Sequence, residues 1–100
     1  MHTTPHTPGP WLASPSEREG AIDIINEQGY FIAVICGGIG PGIERANASL
    51  IGAAPELKRA VEMLCTIIKR SAPTLTGTME YGAAQTALAR AEVFNPGNVQ

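Results

Sequence analysis

Two β-branched runs joined by a tight-turn signal constrain this fold more than any other feature. Ile22–Ile25 supplies the first run and Tyr30–Cys36 the second. Asn26–Gly29 lies between them and ends in a glycine that suits a left-handed turn position, so the pattern predicts a β-hairpin. Both faces of Tyr30–Cys36 are apolar, whereas a half-exposed strand alternates with polar residues. Because two strands alone are marginally stable, we expect a third strand near Trp11–Ala13 or pairing with another copy.

Three helices are expected after the hairpin. Apolar spacing predicts a helix over residues 43–53. Pro55 cannot continue it, because proline lacks the donor and clashes with the preceding turn, but it fits the first turn of a second helix over 55–70. Thr78 is a suitable N-cap for a third helix that runs to about Val93. The expected core stripe of the second helix consists of Leu57, Val61, Leu64, Cys65 and Ile68.

These elements predict an α+β fold, in which a small antiparallel sheet of two or three strands packs against three helices. We divide the chain into a Pro-rich arm (1–20), a single α+β domain (21–94) and a C-terminal tail (95–100). Trp11, the only tryptophan, follows Pro10 in the arm. We expect it to anchor the arm on the core, and the alternative is an exposed side chain that grips a ligand or partner.

Composition excludes several classes of protein. The chain has 100 residues, seven Lys and Arg, and a net charge of −2, so no basic stripe for direct nucleic-acid binding is present. The longest apolar run, near Ile32–Cys36, is too short to span a bilayer, so no membrane role is expected. Without a secretory signal, Cys36 and Cys65 are expected to be free, buried thiols in the cytoplasm.

The glycine-rich segment Gly37–Gly42 is the main candidate site. A glycine loop between a strand and a helix can present backbone N–H groups to a phosphate, which makes Gly38, Gly40 and Gly42 candidate binding residues. A dinucleotide fingerprint would need a third glycine where Ile43 stands. The loop is therefore a plain connection, an anion site or a partner-facing surface. Asn47, early in the next helix, either bonds to backbone or lines a site.

No catalytic residues, metal site or cofactor are predicted. A nucleophilic cysteine needs a histidine, and the only histidines, His2 and His6, lie in the arm. They also lack neighbouring metal ligands. Five of the glutamates are candidates for acid–base chemistry, but they fall on loop or polar helix positions, where solvated surface is expected: Glu17, Glu19, Glu44, Glu56 and Glu62.

Two motifs carry a resemblance to small, mostly uncharacterised proteins of bacteriophages and prophages. The first is His-Thr-Pro-Gly-Pro-Trp, here residues 6–11, and the second is Asn-Ala-x-Leu-Ile-x-Ala-Ala-Pro-Glu-Leu, here residues 47–57. The match continues into the Ala-rich helix near residues 87–92. Gly52 stands where the group usually has alanine. The resemblance implies a phage setting but no catalytic residues.

The leading interpretation is a non-enzymatic phage accessory protein that binds and modulates a host factor, with inhibition of antiviral defence as the expected outcome. One alternative is sequestration of a nucleotide-like signalling ligand at Gly37–Gly42. Another is a minor structural phage protein. In each case we expect a homodimer or higher homo-oligomer in the bacterial host cytoplasm, because apolar content is high and charge is low for so short a chain.

Overall fold

A computed structural model describes residues 5–92 of the chain. A three-stranded antiparallel sheet and three α-helices confirm the predicted α+β fold. In chain order the elements are β1 (Leu12–Pro15), β2 (Ile22–Ile25), β3 (Phe31–Ile35), α1 (Pro41–Gly52), α2 (Ala54–Ser71), a 3₁₀ helix (Pro73–Gly77) and α3 (Met79–Arg90).

By its internal contacts the chain divides into two compact units, and each is described by itself. Residues 6–57 form one unit, and the other contains the residues from Lys58 onward. The first strand, β1, lies inside the segment 1–20 that the sequence indicates as an arm. The predicted tail, 95–100, falls outside the described residues.

The first unit is built on a sheet in the order β1-β2-β3. The third strand therefore comes from the chain's own N-terminal segment, one of the two expected origins. Ile24 lies opposite Ala13 on one side and Ala33 on the other. A bulge between Ile24 and Ile25 shifts the pairing with β3, so that Phe31 lies opposite Ile25.

Helix α1 covers one face of this sheet. Successive residues of a strand point to opposite faces, so the register places Ile24, Ala13 and Ala33 together on one face. Ile24 is fully buried, and Ala48 of α1 is almost as completely buried. Contacts of α1 with all three strands show that the core of this unit lies between α1 and the Ile24 face.

The hairpin turn is held by one side chain. Oδ1 of Asn26 accepts hydrogen bonds from the backbone amides of Gln28, at 3.0 Å, and Tyr30, at 2.9 Å. Gly29 has a φ of +86°, as its predicted left-handed position requires. The Asn26 side chain is buried. Its oxygen takes the place of a backbone acceptor for these two turn amides, as is typical of asparagine in turns.

The second unit contains most of α2, the 3₁₀ helix and α3. As predicted, Thr78 caps α3, and its Oγ1 accepts a hydrogen bond from the Tyr81 amide at 3.2 Å. Cys65 is buried, as expected, whereas Cys36 of the first unit is exposed and the prediction of burial there was wrong. Within residues 5–92, no helix has both the length and the apolar content needed to cross a bilayer.

The predicted core stripe of α2 is only partly correct. Cys65 is buried and Val61 and Ile68 are half-buried, but Leu57 and Leu64 are exposed. The apolar residues of α2 cover more than one face of the helix, and a single neighbouring element can cover only one. The sequence pattern therefore identified an apolar helix but not which of its sides is packed.

Candidate functional site

The glycine loop before α1 binds a carboxylate of its own chain. Oε2 of Glu44 accepts hydrogen bonds from the amide of Ile39 at 3.0 Å and from that of Gly40 at 3.3 Å. These bonds lower the pKa of Glu44 below its ordinary value of 4.5, partly opposed by burial and aided by a weaker bond from Gly38. Solvent anions would have to displace this carboxylate before they could bind to the same amides.

The three candidate glycines have different backbone roles. Gly38 and Gly40 have φ values of +124° and +134°, which side-chain-bearing residues rarely adopt. Gly42 instead lies inside the first turn of α1, behind Pro41 at the first helical position. The loop thus needs glycine at two positions for its shape, whether or not it binds anything.

Glu44 is the residue here that sequence reasoning missed. It was expected on a solvated helix position, but it is buried and reaches back to the amide of the N-cap residue, Gly40. An acidic residue in the first helical turn can do this, as in a capping box. The sequence does contain a signal for this contact, which is an acidic residue in the first turn of the helix that follows the glycines.

A cavity of about 470 Å³ lies beside this loop, between the covered face of the sheet and α1. Its walls are mainly apolar, and its polar side chains are those of Ser14, Ser49, Arg45 and the carboxylate Glu44, which is bound to the loop amides. Arg45 is exposed and forms no ion pair with any carboxylate among the described residues. The lining residues are Ala13, Ser14, Pro15, Gly20, Ala21, Ile22, Pro41, Glu44, Arg45, Ala48 and Ser49.

Trp11 lies where the two sequence motifs meet. Its side chain is half-buried, its indole Nε1 donates a hydrogen bond to the Thr7 carbonyl at 3.0 Å, and the His6 ring packs edge-on against it at 5.9 Å. A Cβ added to Gly52 would lie 3.1 Å from the Trp11 carbonyl oxygen. This close approach gives a packing reason for glycine at position 52.

The contact between the two motifs continues one helical turn further along the second motif, at Pro55 and Glu56. A Cβ on Gly9 would lie 2.6 Å from Oε2 of Glu56 and 3.1 Å from Cβ of Pro55. The two motifs therefore pack against each other, which gives both of them a structural role. Asn47, by contrast, is exposed on α1 and is not among the residues that line the cavity.

Within residues 6–57, no element covers the second face of the sheet. The bulge pairs Phe31 with Ile25, so Leu12, Ile25, Phe31 and Val34 lie on the side opposite the α1-covered face. Asp23, which pairs with Val34, also lies on this side. Phe31 is 71% exposed, and Leu12 and Val34 are also exposed. Tyr30, just before β3, is exposed as well. We call Leu12, Tyr30, Phe31 and Val34 the open sheet patch.

The open sheet patch extends to a strand edge. β3 pairs with β2 on one side and is the last described strand of the sheet, so no strand within residues 5–92 pairs with its other edge. We call this the free edge of β3. An apolar patch beside a free strand edge is a surface to which another polypeptide can add. The sequence signal for this surface is the doubly apolar pattern of Tyr30–Cys36, because one layer of helix can cover only one of its two faces.

A second cavity, of about 490 Å³, lies between α2 and α3 in the other unit. Its rim carries two cations, Lys69 and Arg70, and one carboxylate, Glu62. Its floor includes the buried Cys65 and the half-buried Leu88. Among residues 5–92, His, Cys, Asp and Glu side chains form no group of three that could hold a metal ion.

These features describe a small α+β protein whose candidate sites are an apolar sheet face and a cavity beside α1. A family model described as Salmonella phage P22 protein Y8K6 matches residues 1–95. The chain belongs to this family of bacteriophage proteins, which confirms the setting implied by the two motifs. Searches of curated proteins and of solved structures gave no match.

Proposed function

We propose that this protein is a non-enzymatic phage accessory protein that binds a protein of the bacterial host in the cytoplasm and inhibits antiviral defence. The observation that carries the proposal is the open sheet patch next to the free edge of β3. Membership of a phage family supports the setting. The anti-defence role is the proposed purpose of this binding.

The chemistry of the patch favours a protein partner. Aromatic side chains are enriched at the centre of protein interfaces, because they bury a large area at a small cost in conformational entropy. Phe31 and Tyr30 supply two of them at the entry to β3. A partner strand that pairs with β3 would satisfy its free backbone groups, while its side chains cover Phe31 and Val34.

The arrangement of the described nucleophiles and bases supports the non-enzymatic part of the proposal. Nδ1 of His6 lies 2.8 Å from the Thr7 carbonyl oxygen, and its ring packs on Trp11, so both contacts of this histidine are local and structural. Glu44 is held by two backbone amides in its ionised form. Neither group is paired with a nucleophile, as acid–base catalysis would require.

The proposal is tested by placing a photo-crosslinking amino acid at position 31 in the full chain and expressing it in the bacterial host. The captured protein is then purified and titrated by calorimetry against three versions of the chain: wild type, Phe31→Asp and Met79→Asp. Phe31→Asp should weaken binding at least about 30-fold, as expected for an interface hot spot worth about 2 kcal/mol or more. Equal binding by Phe31→Asp and wild type would contradict the proposal.

Met79→Asp is the matched control. Met79 is 84% exposed, so it is also an exposed apolar side chain, but it lies at the start of α3 and outside the open sheet patch. An aspartate in the first turn of a helix is tolerated by the helix dipole. The dissociation constant of Met79→Asp for the captured protein should therefore remain within about twofold of the wild-type value. Circular dichroism of both variants checks that the fold is retained.

A second candidate function is sequestration of a nucleotide-like ligand. One observation favours it: the cavity beside α1 has a volume within the range of small-molecule sites, apolar walls and a cation, Arg45, that pairs with no carboxylate within residues 5–92. The apolar walls would hold a base, and Arg45 would hold a phosphate at the rim. This moves the predicted site from the Gly37–Gly42 amides, which Glu44 occupies, to the adjacent cavity.

Thermal unfolding with and without nucleotides tests this candidate. A ligand at 100 times its dissociation constant should stabilise the fold by about 2.7 kcal/mol, and Arg45→Ala should remove most of that gain. Gly40 is a poor probe, because its φ of +134° strains any replacement. If neither mononucleotides nor cyclic dinucleotides raise the melting temperature of the wild type, the sequestration reading fails.

A further inference from the structure

The outer face of α2 carries an apolar row that no described part of the chain covers. Leu57, Leu64 and Ile67 are 48%, 60% and 50% exposed, and Ala60 is exposed between them. Their spacing of three and four residues places them on one side of the helix. We call Leu57, Ala60, Leu64 and Ile67 the α2 seam. Met63, which is 55% exposed, lies along its border.

From this seam we propose that two copies of the chain associate through α2, with the two helices antiparallel. The spacing matches positions a and d of two consecutive heptads, the arrangement with which one helix packs against another. In antiparallel pairing Leu57 faces Ile67 of the second copy, and Ala60 faces Leu64. Each contact then occurs twice, as the two-fold symmetry of a homodimer requires.

The charges beside the seam point to a second copy rather than to an unrelated apolar partner. In the same heptad scheme Glu56, Met63 and Arg70 occupy the g positions, with Met63 midway between the two charges. Antiparallel pairing brings Glu56 of each copy beside Arg70 of the other and brings the two Met63 side chains together. Parallel pairing would bring like charges to the same level and align the helix dipoles unfavourably.

The exposed area suits a moderate interface. Each large side chain of the seam has about half its surface exposed. Two heptads of one helix, with Met63 and the aliphatic stems of the flanking residues, offer less than the about 800 Å² per partner of an interface of standard size. We therefore expect a reversible dimer with a dissociation constant in about the micromolar range. The inference does not rest on the proposed host partner, since it concerns a different element.

Sedimentation velocity of the full chain over a range of concentrations tests the seam. The wild type should shift from monomer to dimer over roughly 1–100 µM. Leu64→Glu should raise the dissociation constant at least about 30-fold. The matched control is Leu50→Glu, because Leu50 is a leucine of similar exposure, 64%, on α1, and it should leave the dimer unchanged. A monomer at every wild-type concentration would overturn the proposal, as would dissociation by Leu50→Glu with none by Leu64→Glu.

A charge exchange tests the orientation of the two helices. Glu56→Arg places two cations together in the antiparallel dimer, and Arg70→Glu places two carboxylates together, so each single variant should weaken association by about tenfold. The double variant restores both opposite-charge pairs and should return to within about threefold of wild type. Failure of the double variant to recover would overturn the antiparallel arrangement. All these side chains are exposed, and circular dichroism confirms folding of each variant.

Discussion

Ile24 offers a sharp test of where the core of the sheet unit lies. It is the only large side chain that is completely buried among the described residues. Its partners in the two neighbouring strands are alanines, Ala13 and Ala33, and the most buried residue of α1 is also an alanine, Ala48. Short neighbours cannot collapse far into a space vacated by a larger side chain, so truncation here leaves most of a cavity.

Ile24→Ala should therefore cost about 3–4 kcal/mol of unfolding free energy, in the upper half of the range seen for such truncations. For a chain of this size that is a large part of a total of about 5–15 kcal/mol. Urea titration followed by the fluorescence of Trp11 measures it, because this single tryptophan lies in the same unit. The variant should unfold at a clearly lower urea concentration with little change in slope.

Ile25→Ala is the matched control for this prediction. Ile25 has the same side chain and the same strand, but it is half-buried on the open face. Its truncation should cost about 1 kcal/mol, since less area leaves contact. A loss below about 1.5 kcal/mol for Ile24→Ala, or a larger loss for Ile25→Ala than for Ile24→Ala, would refute the assignment of α1 to the Ile24 face.

Three further predictions concern single polar groups. Asn26→Ala leaves two turn amides without their acceptor and should lower the free energy of unfolding by about 1–3 kcal/mol, measured by urea titration. A loss below about 0.5 kcal/mol would show that the turn does not depend on the Asn26 side chain. Thr78→Ala removes the N-cap of α3 and should cost about 1 kcal/mol, measured by helical circular dichroism during unfolding, with Thr76→Ala as control. Because the folded pKa of Glu44 is lowered, its stabilising effect is present above pH 4.5 and is lost as pH falls through the folded pKa. Glu44→Gln should remove this part of the acid sensitivity, and identical pH dependence in variant and wild type would contradict the role of the loop amides.

Local chemistry made much of the fold predictable from sequence. The turn at Asn26–Gly29, the cap at Thr78 and the break between α1 and α2 each depend on residues within a few positions of one another. The structure confirms all three. The start of α1 at Pro41 was placed two residues late, because the glycines before it obscured a proline that fits the first helical turn.

The features that involve distant residues were less accessible. The packed side of α2 depends on which neighbour lies against it, so apolar spacing did not distinguish Cys65 from the exposed Leu64. The burial of Glu44 depends on the shape of the preceding loop, which requires glycine at Gly38 and Gly40. The contact between Gly9 and Pro55 links positions far apart in the chain, and no periodic pattern encodes such a contact.

Native mass spectrometry of the full chain, purified gently from bacterial cells, tests the proposed host-protein binding most directly. It reports subunit number, retained small molecules and retained proteins in a single spectrum. The account predicts a complex with a bacterial protein in fixed stoichiometry, present for wild type and Met79→Asp and lost for Phe31→Asp. A mass increase from a small molecule with no retained protein, or a protein retained equally by Phe31→Asp, would contradict binding through the open sheet patch.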